Sequence, residues 1–119
     1  MVGVQIFGVK NSAATRAAER FFKERRIPIH LVDLSQKAMA PGEIKRFVQR
    51  FGLTGIIDSE GKAYLDAGLK YLKVSDTALL ERIEREPRLL RLPLVRGGTR
   101  LSIGHDEDAW KEMAASGLT

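Results

Sequence analysis

The order of strand and helix patterns in the first 34 residues is the feature that most constrains the fold of this chain. The segment Val2 to Phe7 is typical of a short strand, and Ser12 is a good N-cap residue for a helix. Pro28 ends the helical pattern, and the apolar, β-branched segment Ile29 to Leu34 predicts a second strand. Because such crossovers leave their two strands parallel, the pattern predicts a βαβ unit.

Three further helices are predicted from apolar residues that recur at helical spacing. The first helix has a core-facing stripe, and residues 41–86 contain helical patterns alone, with short helical turns where glycines interrupt them. Ser75 caps a helix in this segment, and Asp106 caps the last helix of the chain. The stripes are formed by Ala14, Ala17, Ala18, Phe21 and Phe22, by Ile44, Phe47, Val48 and Phe51, by Leu79, Leu80 and Ile83, and by Ala109, Trp110 and Met113.

Two more strands are predicted near the C-terminus. Leu92 to Val95 and Thr99 to Ile103 flank Gly97 and Gly98, which is a two-glycine signal for a hairpin. The full order is therefore that of an α/β thioredoxin-like fold, with a mixed sheet of about four strands. We expect residues 1–119 to form a single domain with a helical insertion at about 41–86, and residues 116–119 to fray.

Composition limits the chemistry more than it limits the fold. The chain contains no cysteine, which excludes disulfides, thiolate metal sites and every mechanism that uses a thiol of the protein. The net charge of +5 permits an acidic partner but is smaller than the excess of a dedicated nucleic-acid binder. Direct binding of nucleic acid is not expected, because Glu81, Glu84 and Glu86 neutralise much of the arginine-rich segment 82–91 and no aromatic residues interleave with it. No signal peptide or apolar run of about 20 residues is visible, so we expect a cytoplasmic protein with no membrane partner.

Five segments resemble the arsenate reductase-like family, which includes Spx-type transcription regulators and YffB-type reductases. The segments follow the family in order and span nearly the whole chain; the stretches from Glu86 and from Leu101 are the most specific. They are IFGVKNSAATRAA at 6–18, IKRF at 44–47, YLDAGL at 64–69, EPRLLRLPLV at 86–95 and LSIGHDED at 101–108.

The resemblance also shows what this chain lacks. Members that reduce a substrate carry a cysteine at the N-cap of the first helix, where this sequence has Ser12. The arginines with which family arsenate reductases hold the oxyanion fall at or near Leu92, Asp58 and Ile103. Catalysis needs the nucleophile and the anion clamp together, so arsenate reduction is not expected. The other interpretation of position 12 is an engineered replacement of a natural cysteine by serine.

A candidate anion-binding or ligand-binding site surrounds the start of the first helix. Lys10, Asn11, Ser12, Thr15 and Arg16 gather donors and positive charge at a helix N-terminus, which favours a small oxyanion. The structural alternative is that Ser12 is a helix cap only and its neighbours form a solvated loop.

Pro93 matches the proline that is cis throughout the thioredoxin fold, and we expect it to lie near Ser12. Backbone beside this proline pairs with a peptide or glutathione in reductases of the fold, which makes Pro93 a further candidate ligand-binding residue.

The resemblance and the missing cysteine together predict a noncatalytic member of the family, a scaffold for an anion or a protein. The alternatives are a glutathione-dependent reductase or transferase-like enzyme that uses Ser12 or a thiol cosubstrate, and an Spx-like regulator that docks on RNA polymerase. We expect no cofactor and no metal, and a monomer or weak dimer that binds a small oxyanion, a glutathione-like ligand or a protein.

Overall fold

The structure is a computed structural model that describes residues 3–115, apart from the side chain of Lys70. The predicted start of the first strand at Val2 and the predicted fraying of residues 116–119 lie outside the described residues. The elements follow in the order β1 (Val4–Gly8), α1 (Ala13–Glu24), β2 (Ile29–Asp33), α2 (Pro41–Phe51), α3 (Lys62–Asp66), α4 (Asp76–Arg85), β3 (Leu94–Gly97), β4 (Arg100–Ile103) and α5 (Glu107–Ala115), with 3₁₀ helices at Leu69–Tyr71 and Pro87–Leu89.

The chain divides into two compact units. The first, which we call the sheet unit, consists of Met1–Lys37 and Leu92–Thr119, and the second, the helical unit, is Ala38–Arg91. The predicted helical insertion at about 41–86 falls within the helical unit. Among residues 3–115, no helix is both long enough and apolar enough to cross a membrane.

The sheet unit contains a four-stranded mixed sheet with the strand order β2-β1-β3-β4. Strand β1 is parallel to β2 and antiparallel to β3, and β3 is antiparallel to β4. The predicted parallel pair and the predicted hairpin are both confirmed, and the order is that of a thioredoxin-like fold. In this register Gly8, at the end of β1, lies opposite Asp33 on β2, and Phe7 lies opposite Leu94 on β3.

The hairpin turn differs from the prediction by one residue. Gly97 pairs with Arg100 and is part of β3, so the two residues of the turn are Gly98 and Thr99. Gly98 has φ 60°, a conformation that costs glycine little and suits the first position of a tight hairpin turn. The third strand begins at Leu94 and not at Leu92, because Pro93 has no N–H for a sheet hydrogen bond.

One face of the sheet packs against α1 and α5. The predicted stripe of α1 is confirmed: Ala18, Phe21 and Phe22 are buried and contact the core, together with Trp110 and Met113 of α5. The rings of Phe21 and Phe22 meet edge to face at a centroid distance of 5.1 Å. This apolar layer fixes the position of α1 against the sheet, and therefore fixes the position of its N-terminus.

The helical unit is built on the predicted amphipathic patterns. Ile44 and Phe47 are the buried residues of α2, and Ile83 is the buried residue of α4. The Ser75 hydroxyl accepts a hydrogen bond from the backbone N–H of Ala78 at 3.2 Å, which confirms the predicted cap of α4.

Candidate functional site

Ser12 is the N-cap residue of α1, as the sequence predicts. Its backbone is extended, and its hydroxyl accepts a hydrogen bond from the backbone N–H of Thr15 at 3.2 Å. Its carbonyl accepts the first hydrogen bond of the helix, from the N–H of Arg16 at 3.1 Å. The Ser12 hydroxyl is therefore engaged in closing the first turn of α1.

A tight turn joins β1 to α1 and places positive charge beside the helix N-terminus. The backbone N–H of Ser12 donates to the carbonyl of Val9 at 3.1 Å, which leaves Lys10 and Asn11 exposed in the turn. The exposed Arg16 folds back, and its guanidinium donates to the carbonyl oxygen of Lys10 at 3.0 Å. Lys10, Asn11, Ser12 and Arg16 therefore lie together, and we call this group the Ser12 corner.

The first backbone amides of α1 are the groups that an anion at the Ser12 corner would meet. By helix geometry, the N–H groups of Ala13 and Ala14 have no acceptor within the helix. The aligned peptide dipoles add roughly half a positive charge at this end. The arrangement favours a small anion over a cation at the start of α1.

Thr15 belongs to the predicted site but is directed elsewhere. It is completely buried, and its hydroxyl oxygen has no hydrogen-bond partner. A Cβ atom on Gly8 would lie only 2.4 Å from that oxygen, so the Thr15 side chain packs directly against the backbone of Gly8. Thr15 thus contributes its backbone N–H to the Ser12 cap, and its side chain fills the contact between α1 and β1.

Pro93 lies at the same end of the sheet's strands as the Ser12 corner. It directly precedes Leu94, the first residue of β3, which pairs with Phe7 near the end of β1. The Leu92-Pro93 peptide bond is cis, as predicted, and Pro93 is buried. The carbonyl oxygen of Pro93 accepts a hydrogen bond from the N–H of Gly104 at 3.0 Å and is therefore committed to the β3–β4 hairpin.

Asp33 is a charged residue at this end of the sheet's strands that the sequence reasoning missed. The hydroxyl of Ser35 donates to its carboxylate at 2.6 Å and the backbone N–H of Ser35 at 3.0 Å, and these two bonds lower the pKa of Asp33 below its usual value. The positive charge of Lys10 lowers that pKa further. A signal was available, since parallel strands end at one edge and Asp33 ends β2. Asp33 places a negative charge near Lys10 and so opposes the binding of an anion.

The positions at which the resemblance places clamp arginines hold residues without positive charge. Leu92 and Ile103 are half-buried in the sheet unit, and Ile103 pairs with Leu94. Asp58 lies in the helical unit, where its N–H donates to the carbonyl of Leu89 at 2.8 Å. In the part of the chain that the structure describes, no three His, Asp or Glu residues are grouped so that they could hold a metal ion.

The chemistry open to this site follows from the serine. A helix N-terminus stabilises a thiolate, but a serine hydroxyl stays neutral there because its pKa is far above that of a thiol. An alkoxide would not perform thiol–disulfide exchange, because that exchange requires a thiolate to attack sulfur. The Ser12 corner offers the first backbone amides of α1, a hydroxyl and the two exposed cations Lys10 and Arg16.

Comparison with known proteins finds relatives in sequence and in fold. The chain is 27% identical over 107 residues to global transcriptional regulator Spx 2 of Oceanobacillus iheyensis, covering 88% of this chain and 78% of that protein. The solved structure of the YFFB protein superposes with a TM-score of 0.82 at 14% identity, covering 93% of this chain and 98% of that one. An arsenate reductase from Vibrio cholerae gives 0.79 at 18% identity, with coverages of 94% and 98%. The model of the ArsC family matches residues 7–113, so the chain is a member of the ArsC family.

Proposed function

We propose that this chain is a noncatalytic member of the ArsC family that serves as a binding scaffold in the cytoplasm. The observation that carries the proposal is the Ser12 hydroxyl, which accepts the Thr15 N–H at 3.2 Å at the position of the family's nucleophilic cysteine. Because the whole chain lacks cysteine, no second residue can supply the thiol.

What the site retains is the capacity to hold a small oxyanion weakly. The amides of Ala13 and Ala14 and the charges of Lys10 and Arg16 favour an anion such as phosphate. Two features weaken this attraction: both cations are exposed to solvent, and Asp33 places a carboxylate nearby. We expect a dissociation constant no lower than about 1 mM, which corresponds to roughly 4 kcal/mol.

A titration of the ¹⁵N-labelled protein with inorganic phosphate tests the binding site. Shifts should concentrate on the amides of residues 13–16 and should weaken with added salt. The Arg16→Gln variant should reduce the affinity, and Lys23→Gln, at the other end of α1, is the matched control. If the amides do not shift at phosphate concentrations of about ten times the expected dissociation constant, Ser12 is a helix cap only.

A second candidate function is docking on RNA polymerase as an Spx-like regulator. The supporting observation is that a curated relative covering 88% of this chain is a global transcriptional regulator. Purified RNA polymerase immobilised on a biosensor provides the test. The regulator hypothesis predicts saturable binding that Ser12→Ala leaves unchanged, because docking needs no redox chemistry at position 12. An absence of binding would contradict it.

A further inference from the structure

A partly apolar groove lies between α2 and α4 within the helical unit. Its volume is about 330 Å³, and its lining residues are Pro41, Ile44, Lys45, Val48, Leu80 and Glu84. Ile44 is 6% exposed and forms the floor, while Val48 and Leu80 are half-buried on the two walls. Covering the apolar surface of an open groove with another surface removes it from water and so lowers the free energy.

The two charged residues of the groove have opposite signs and lie on opposite walls. Lys45 is exposed on α2, and Glu84 is exposed on α4. Within residues 3–115, neither side chain takes part in a hydrogen bond or an ion pair. Both charges are therefore available to a molecule that covers the groove.

This pattern is self-complementary. A twofold axis along the groove places α2 of one molecule over α4 of the other. Lys45 of each copy then faces Glu84 of its partner, and two ion pairs close over the apolar floors. A twofold axis across the groove would instead place Lys45 opposite Lys45. A purely acidic or purely basic partner would satisfy one wall and meet like charge on the other.

We propose that this groove is a homodimer interface in which the α2–α4 faces of two copies pack together with Lys45 against Glu84. This inference is independent of the Ser12 corner. One groove of this size covers less than the roughly 800 Å² per partner that stable interfaces bury, so the dimer is weak and reversible.

Sedimentation equilibrium of the full chain tests the proposal, from about 10 µM to about 1 mM at low salt. The wild type should show a reversible monomer–dimer equilibrium that added salt weakens. Lys45→Glu and Glu84→Lys should each raise the dimer dissociation constant by about tenfold, because each creates two like-charge contacts. The controls Arg46→Glu and Glu81→Lys make the corresponding charge reversals on the same two helices at positions outside the groove. They should leave dimerisation unchanged.

Mixing the Lys45→Glu and Glu84→Lys variants gives the sharpest result. In a mixed dimer, the substituted position of one copy would face the substituted position of the other, which restores an ion pair with its two charges exchanged. The second pair of the mixed dimer would be the wild-type one, so the mixture should dimerise about as tightly as the wild type. A wild type that stays monomeric throughout, single variants no weaker than the two controls, or a mixture that fails to recover while circular dichroism shows both variants folded would each overturn the proposal.

Discussion

Ser12 is the N-cap residue of α1, and its hydroxyl accepts a hydrogen bond from the backbone N–H of Thr15. The hydroxyl therefore has a structural role at this position, which is to close the first turn of the helix. Replacing Ser12 with alanine should lower the free energy of unfolding by about 1 kcal/mol, whereas glycine should cost only a few tenths. Chemical denaturation measures both values. Ser75→Ala, which removes the equivalent cap of α4, is the matched control.

Loss of stability well above 2 kcal/mol in Ser12→Ala, with an ordinary cost in Ser75→Ala, would mean that the hydroxyl does more than cap the helix.

We predict that the carboxylate of Asp33 limits how strongly the Ser12 corner attracts anions. Its lowered pKa keeps the carboxylate charged well below neutral pH, so mild acid down to about pH 5 should not relieve the repulsion of sulfate. Asp33→Asn removes the charge and should tighten sulfate binding by about twofold to fivefold, measured by NMR titration. Asp66→Asn, an exposed carboxylate of the helical unit, should have no effect. Equal affinities for wild type and Asp33→Asn would show that the anion does not bind beside Asp33.

At the scale of elements, the contact between β1 and α1 depends on a glycine. A methyl group on Gly8 would meet the Thr15 side chain at 2.4 Å and 2.7 Å. Gly8→Ala should therefore destabilise the protein by about 1 to 3 kcal/mol through overpacking. Thr15→Ala removes the two clashing atoms, so the double variant should be at least about 1 kcal/mol more stable than the sum of the single changes predicts.

Additive effects of Gly8→Ala and Thr15→Ala in urea unfolding would contradict this packing account.

Helices and strands can be predicted from the sequence where apolar residues recur at regular spacing and where capping residues mark the ends. The stripe of α1, the caps at Ser12 and Ser75 and the parallel first strands follow from patterns within the chain. The exact turn at Gly98 was missed because two adjacent glycines suit either register, and pairing with a neighbouring strand decides between them. Asp33 belongs to no local motif, and its proximity to Lys10 becomes visible only when the ends of the parallel strands β1 and β2 are placed side by side.

In the sequence of the whole molecule, the helical unit is inserted between the two segments that form the sheet unit. We predict that residues 1–119 unfold as one domain. Trp110, the only tryptophan, reports on the sheet unit, whereas Ile83 is buried in the helical unit. Ile83→Ala should cost about 2 to 5 kcal/mol and should lower the melting temperature equally by Trp110 fluorescence and by far-ultraviolet circular dichroism. A fluorescence transition that stays at the wild-type temperature would show that the two units unfold separately.

We propose that this ArsC-family chain, which has no cysteine, performs no reduction. The most direct measurement is the rate of arsenate reduction by the purified protein with glutathione and glutaredoxin, compared with the rate without the protein. Since Ser12 offers no thiolate and the clamp positions Leu92, Asp58 and Ile103 offer no positive charge, the two rates should be equal. Turnover above the protein-free rate that Ser12→Ala abolishes would contradict the account and would favour an enzyme that uses Ser12 with a thiol cosubstrate.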